Sequence, residues 1–139
     1  MLIMSSILTT ILIAGCIKNT EEPLNNNELS NIDQPLFSPS GNYKAVIDRF
    51  EDNGVRAYKV EIVDVKDFDT YEVDILFRAR DRNYVFWADE DDILWGYSGD
   101  VGTYFWLKEN GFWIKKTYAD NPNAVVPQAL KDARPNKYN

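Results

Sequence analysis

The sequence predicts an all-β fold, an antiparallel meander of about seven strands arranged as a sandwich or a small barrel, with a short C-terminal helix. Two observations lead to this prediction. Stretches of strand-like residues, alternating between apolar and polar in the first half, recur from Tyr43 onward. Turn residues rich in Gly, Asn and Asp separate them at near-regular spacing. We expect a single globular domain over residues 36–139.

The first three strands are predicted to be half-buried. They cover residues 43–50, 55–65 and 71–77, and the first two are joined by the letters "EDNG". Asn-Gly between strand-like segments is a strong hairpin signal. Apolar residues at alternate positions, such as Tyr58, Val60 and Ile62, share one face of a strand. This pattern is typical of antiparallel strands with one face in water.

The four strands of the second half, at 84–87, 93–97, 102–107 and 112–117, have a different composition. Bulky apolar residues stand at consecutive positions in "YVFW", "ILWGY", "TYFWL" and "GFWI". Consecutive side chains of a strand point to opposite faces, so this sheet is apolar on both sides. One interpretation buries it on both faces, between the first hairpins and the C-terminal segment. The other exposes an aromatic platform for protein partners or sugar rings.

The platform interpretation supplies the candidate binding residues. The loop 98–102, "SGDVG", links two aromatic strands, and its glycines allow the backbone to approach a ligand closely. The other interpretation of this loop is a plain hairpin turn capped by Asp100. The candidates are Trp95, Tyr97, Asp100, Tyr104 and Trp106.

Beyond residue 122 the strand pattern stops. Residues 126–133 are predicted to form the short helix, with Pro127 in its first turn and Pro135 after its end.

Two charged clusters are each open to two interpretations. Arg78, Arg80 and Arg82 could grip a phosphate or an acidic patch, or form internal ion pairs. The carboxylates of residues 89–92, "DEDD", resemble a calcium loop only in composition, because they lack the EF-hand spacing. Such a cluster is more often a solvated turn at the rim of a sheet, and no spacing among the acids selects a glycosidase pair.

The N-terminus predicts a membrane anchor. Residues 1–15 are uncharged and mostly apolar, too short to span a bilayer but suited to a secretory signal. Ile13-Ala14-Gly15-Cys16 resembles a bacterial lipobox. That resemblance implies that the signal 1–15 is removed and that the Cys16 thiol carries a diacylglycerol. Residues 16–35, with three consecutive Asn, are predicted to be a flexible tether.

Composition excludes several functional classes. The chain has no histidine and one cysteine, which removes His-assisted nucleophilic catalysis and intrachain disulfides. A net charge of −7 argues against nucleic acid as a partner. No cofactor and no metal are expected.

The letters "FSPSGNYKAVI", residues 37–47, also resemble the start of a blade in TolB-type β-propellers. That resemblance implies a turn that leads into a strand, and the chain is too short for the four blades of a closed propeller.

The expected function is that of a lipid-anchored protein on the outer side of the cell membrane, acting as a binding module without catalytic activity. Its expected partners are an envelope protein, a toxin or a cell-wall glycan, besides the membrane itself. The alternative is a structural or accessory role in envelope assembly without a discrete ligand site, and a carboxylate hydrolase is a more distant one.

Overall fold

A computed structural model of the protein describes residues 34–138. Cys16, the signal 1–15 and all of the tether except residues 34 and 35 lie outside the described residues. The lipid anchor therefore stays a prediction from the sequence.

The described chain forms nine strands in two antiparallel sheets, followed by one helix. Sheet A has the order β1-β2-β3-β4, with β5 also paired to β3, and sheet B has the order β6-β7-β8-β9. The all-β prediction is confirmed, and within residues 34–138 the two sheets do not close into a barrel. The elements are β1 Leu36–Phe37, β2 Tyr43–Asp52, β3 Val55–Asp64, β4 Thr70–Glu72, β5 Phe77–Arg78, β6 Asn83–Trp87, β7 Leu94–Ser98, β8 Gly102–Glu109, β9 Phe112–Thr117 and α1 Gln128–Ala133.

Sheet A is built on the predicted hairpin of β2 and β3, which pair without a break from Tyr43↔Asp64 to Asp52↔Val55. Asn53 and Gly54 both have positive φ, 48° and 79°, as a two-residue turn of this kind requires. The predicted third strand is instead divided into β4 and β5, which both pair with β3.

Asp74 explains why that third strand is interrupted. Its carboxylate accepts hydrogen bonds from Trp106 Nε1 at 3.3 Å and from Lys115 Nζ at 2.6 Å, both in sheet B. The chain bends at this residue instead of continuing the ladder with β3. Asp74 therefore connects the two sheets, and the strand that would otherwise join β4 to β5 is interrupted at this residue.

The main hydrophobic core lies between the two sheets. Alternate residues of β2 and β3 face it from one side, and Val85, Leu94 and Trp106 face it from sheet B. Trp106 is fully buried. At about 25 cal/mol per Å², burial of this apolar surface is the dominant stabilising term. The remaining buried members are Ala45, Ile47, Tyr58, Val60, Ile62, Val73 and Phe77.

A second core covers the opposite face of sheet B. Trp95, Tyr97 and Phe105 pack there against the C-terminal segment, which contributes Val126, Leu130 and Tyr138. Sheet B is therefore the middle layer of three, buried on both faces as the first of the two interpretations expected.

The acidic run 89–92 holds two distant segments in place. Asp92 accepts hydrogen bonds from the Oγ and the backbone N–H of Ser40, at 2.6 and 3.2 Å. Asp89 accepts the backbone N–H of Gln128, at 3.0 Å to its Oδ2, and so caps the first turn of α1 from outside the helix. The helix begins two residues later than predicted, because Pro127 is its N-cap and not part of its first turn.

Candidate binding site at a basic corner

The structure contradicts the exposed aromatic platform. Trp95, Tyr97 and Trp106 are 1%, 5% and 0% exposed, so none of them offers a surface to a partner. Consecutive apolar residues in these strands reflect burial on two faces. The candidate binding role of these three residues is therefore wrong as far as it required exposure.

The five candidate residues also do not share a face. Trp95 and Tyr97 point to the C-terminal layer, where Trp95 stacks on Phe105 with ring centres 4.6 Å apart. Trp106 points to sheet A, and the half-buried Tyr104 packs against the same core. Opposite faces of one sheet cannot form a contiguous patch.

Asp100 remains at the surface, in the loop 98–102 between β7 and β8. Its carboxylate lies 3.7 Å from Arg78 Nη1. The backbone N–H of Gly99 donates to the carbonyl of Arg82 at 2.8 Å. The loop is therefore tied at two points to the turn 78–82, which the sequence gives no reason to place beside it.

The turn 78–82 is held by a buried polar side chain. Asn83 Nδ2 donates to the carbonyls of Arg78 and Asp81, at 2.7 and 2.9 Å. Two of the three arginines form the expected internal ion pairs, Arg78 with Asp100 and Arg80 with Asp81 at 4.0 Å. Arg82 forms no pair within 4.0 Å with a carboxylate of residues 34–138.

Residues 133–138, the last part of the C-terminal segment, lie beside this turn and loop. The hydroxyls of Tyr138 and Thr103 share a buried hydrogen bond of 2.7 Å, which ties the end of the described chain to β8. Burial raises the pKa of the Tyr138 phenol, and its bond to Thr103 opposes this only in part. The hydroxyl therefore stays protonated and available as a donor.

Arg134 and Lys137 are the cations that this segment brings to the corner. The guanidinium carbon of Arg134 lies 5.0 Å from the centre of the Tyr97 ring, and Lys137 Nζ lies 5.1 Å from it. Tyr97 thus acts as a buried support beneath two positive charges. Sequence reasoning missed both cations, and their one available signal was two basic residues close together near the end of an acidic chain.

We call the turn 78–82, the loop 98–102 and the segment 133–138 together the basic corner. Two cavities adjoin there. The larger, of about 460 Å³, is lined by Arg82, Ala133, Arg134, Pro135, Asn136 and Lys137. The smaller, of about 240 Å³, is lined by residues 101–104 and 117–119 and again by Lys137. Lys137 therefore stands between the two.

A further cavity, of about 340 Å³, lies at the far end of the β2–β3 hairpin and is lined by residues 49–51, 56–58 and Ala79. No group of three or more Asp, Glu, Cys or His side chains in the described chain comes together as a metal site. Asp89 and Asp92 have the structural roles given above.

Comparisons with protein-family models, with curated proteins and with solved structures found no match to this chain. Over residues 34–138, no helix is long and apolar enough to cross a membrane. The geometry of the basic corner and the sequence of the N-terminus are therefore the features that bear on function.

Proposed function

We propose that the protein is a lipid-anchored module on the outer side of the membrane that binds a partner through the basic corner and performs no chemistry. The lipobox-like Ile13-Ala14-Gly15-Cys16 supports the anchor. Confinement to a surface by acyl chains raises the effective concentration of a binding domain toward partners in the same envelope.

One observation carries the choice of face. Three segments that are distant in sequence meet at the basic corner, and two cavities adjoin there around Lys137. Each segment is fixed by a hydrogen bond to a strand or a neighbouring loop, including those of Asn83 and Tyr138. Binding residues on loops that a rigid scaffold positions are the usual arrangement in binding proteins.

The proposed anchor is tested by the mass of the intact protein extracted from membranes. We expect loss of residues 1–15 and a gain of acyl mass on Cys16. The Cys16→Ser variant should stay unprocessed, and normal maturation of that variant would contradict the anchor.

The proposed binding face is tested by site-specific photo-crosslinking in intact cells. Val101 and Phe112 are exposed apolar residues that form a matched pair, because Val101 comes just before β8 and Phe112 begins β9 beyond the other end of β8. With p-benzoylphenylalanine at position 101, we expect a discrete crosslinked adduct, and at position 112 we expect none. Equal labelling at the two positions would contradict the choice of face. An absence of adducts at both would favour the accessory role without a ligand site.

A further inference from the structure

We propose that the larger cavity of the basic corner binds a phosphate-type oxyanion, a phosphate monoester or diester group. This proposal rests on the proposed function, because it names the chemistry recognised at the same corner. Four features of the corner support it: the lining of the cavity, its cations, an unpaired donor and the rigidity of the surrounding backbone.

The lining of this cavity is positively charged in a chain that is otherwise acidic. Arg82, Arg134 and Lys137 all line it, and none of its lining residues within 34–138 carries a carboxylate. The whole chain has 22 acidic and 15 basic residues, so carboxylates for pairing are abundant. Cations elsewhere, such as Lys59 and Lys115, do lie within 4.0 Å of a carboxylate.

Within residues 34–138, the three cations of the cavity lack such partners. None of them forms an ion pair within 4.0 Å with an acid of the part of the chain that the structure describes. Arg134 and Lys137 gather around the same buried ring of Tyr97. The two positive charges near this ring repel each other, and an anion bound between them would be attracted to both.

Arg134 also has an unused hydrogen-bond donor. Its Nε is buried and has no acceptor among residues 34–138. A buried donor without a partner costs free energy, and an anion oxygen would pair with this Nε only if the Arg134 side chain turned to bring it to the cavity. Guanidinium groups form two parallel hydrogen bonds with oxyanions, which makes arginine suited to phosphate.

The backbone around the cavity is held in place by hydrogen bonds within the protein. The carbonyl of Arg82 is bonded to Gly99, and Asn83 holds the turn that precedes it. The N–H of Lys137 donates to the carbonyl of Arg134 at 3.0 Å, and Tyr138 is tied to β8. A preorganised site loses less conformational entropy on binding than a flexible one.

Size and charge select the ligand class. A cavity of about 460 Å³ with three cations has room for a tetrahedral oxyanion and a substituent. The net charge of −7 disfavours a long polyanion. Arg82 and Lys137 are exposed, so their attraction for an anion weakens as the salt concentration rises. The site therefore suits a single phosphate group carried by a solute, a lipid headgroup or an envelope molecule.

Calorimetric titration of the full chain in an uncharged detergent tests the proposal. The probes are inorganic phosphate and glycerophosphoglycerol, a headgroup diester without acyl chains. Arg82→Gln and Lys137→Gln remove lining cations, while Arg80→Gln removes a cation of the same turn that does not line the cavity.

We expect saturable binding by the wild type and by Arg80→Gln. Losing one charge-assisted hydrogen bond should weaken binding in each lining variant on the order of tenfold. A preference for inorganic phosphate would indicate a free phosphate group as the source, and a preference for the diester a headgroup or polymer; either supports the proposal. An absence of saturable binding, or equal weakening by Arg80→Gln, would overturn it.

The outcomes separate this inference from the proposed function. If the adduct at position 101 forms but phosphate does not bind, the binding face stands and the oxyanion is wrong. If phosphate binds at the lining cations and position 101 gives no adduct, the oxyanion site stands and the proposed partner contact at this corner is wrong.

Discussion

Sheet A and sheet B are both antiparallel, yet they differ in how many of their faces are covered. Within residues 34–138, sheet A has one covered face. Its outward residues, such as Lys59 and Glu72, are charged and pair with each other across strands. Sheet B has two covered faces, so Trp95 and Trp106 stand on opposite sides of it without reaching solvent. Aromatic density in a strand therefore indicates burial on two faces before it indicates a binding platform.

The largest loss of stability is expected when a residue that fills the core between the two sheets is removed. Trp106→Ala should lower the free energy of unfolding by about 3–5 kcal/mol, because a large cavity is left and the lost area is apolar. Urea unfolding measures this change. Phe112→Ala, 72% exposed in the neighbouring β9, is the control and should change it by less than about 0.5 kcal/mol. Similar small effects for both would contradict the buried position of Trp106.

The covering of the second face of sheet B is tested by Leu130→Ala. Leu130 is fully buried in α1, so its truncation should cost about 2–5 kcal/mol in the same assay. Val125→Ala, an exposed residue of the same segment, should be nearly neutral. If the protein tolerated Leu130→Ala as well as Val125→Ala, the C-terminal segment would not be a packed layer.

The substitution Gly96→Ala tests how closely sheet B packs on the side that faces sheet A. A Cβ at position 96 would lie 3.0 Å from Phe77 Cζ and 3.0 Å from Trp106 Cζ3, both in buried rings. Such overpacking should cost about 1–3 kcal/mol. Gly99→Ala adds the same methyl group in ordinary contact, 3.7 Å from the nearest atom, and should be close to neutral. A neutral Gly96→Ala would mean that the two rings move apart easily.

The smallest expected effect is at Asp74, which joins the two sheets. Partial burial acts to raise the pKa of this carboxyl, but the hydrogen bonds from Lys115 and Trp106 outweigh it and hold the pKa below its ordinary 3.8. A lowered pKa in the folded state contributes stability above pH 3.8, and that contribution is lost as the pH falls through the folded-state value.

Asp74→Asn should therefore lower stability at pH 7 by less than about 1 kcal/mol, since the side chain is half exposed. The difference in Tm between wild type and variant should shrink below pH 4. A difference that stays constant from pH 7 to pH 3 would show that the carboxylate charge is not what joins the sheets.

Local patterns in the sequence were sufficient for the hairpin and for most strands. Asn53-Gly54 fixes its turn through backbone conformation alone, and alternation fixes which face of β3 is buried. Two features of sheet A could not be predicted from the sequence, because they depend on contacts between residues that are distant along the chain. The two-residue strand β1 exists only through pairing with β2, and β4 and β5 are separate because Asp74 reaches to sheet B.

The site was accessible to sequence reasoning only in part. Arg82 and the loop 98–102 were noticed as separate features. Their meeting with Arg134 and Lys137 depends on how the C-terminal segment crosses sheet B, which no spacing along the chain encodes. Trp95, Tyr97 and Trp106 were misassigned under the platform interpretation, because consecutive aromatic residues fit both a platform and a middle layer.

The burial of sheet B as a middle layer, in place of a role as a binding surface, is tested by hydroxyl-radical footprinting of the intact protein with mass spectrometry. Rates of side-chain oxidation are compared with those of the urea-unfolded chain. We predict strong protection of Trp95 and Trp106 and near-unfolded rates for Phe68 and Phe112, which are 73% and 72% exposed. Oxidation of Trp95 and Trp106 at rates like that of Phe112 would contradict the account.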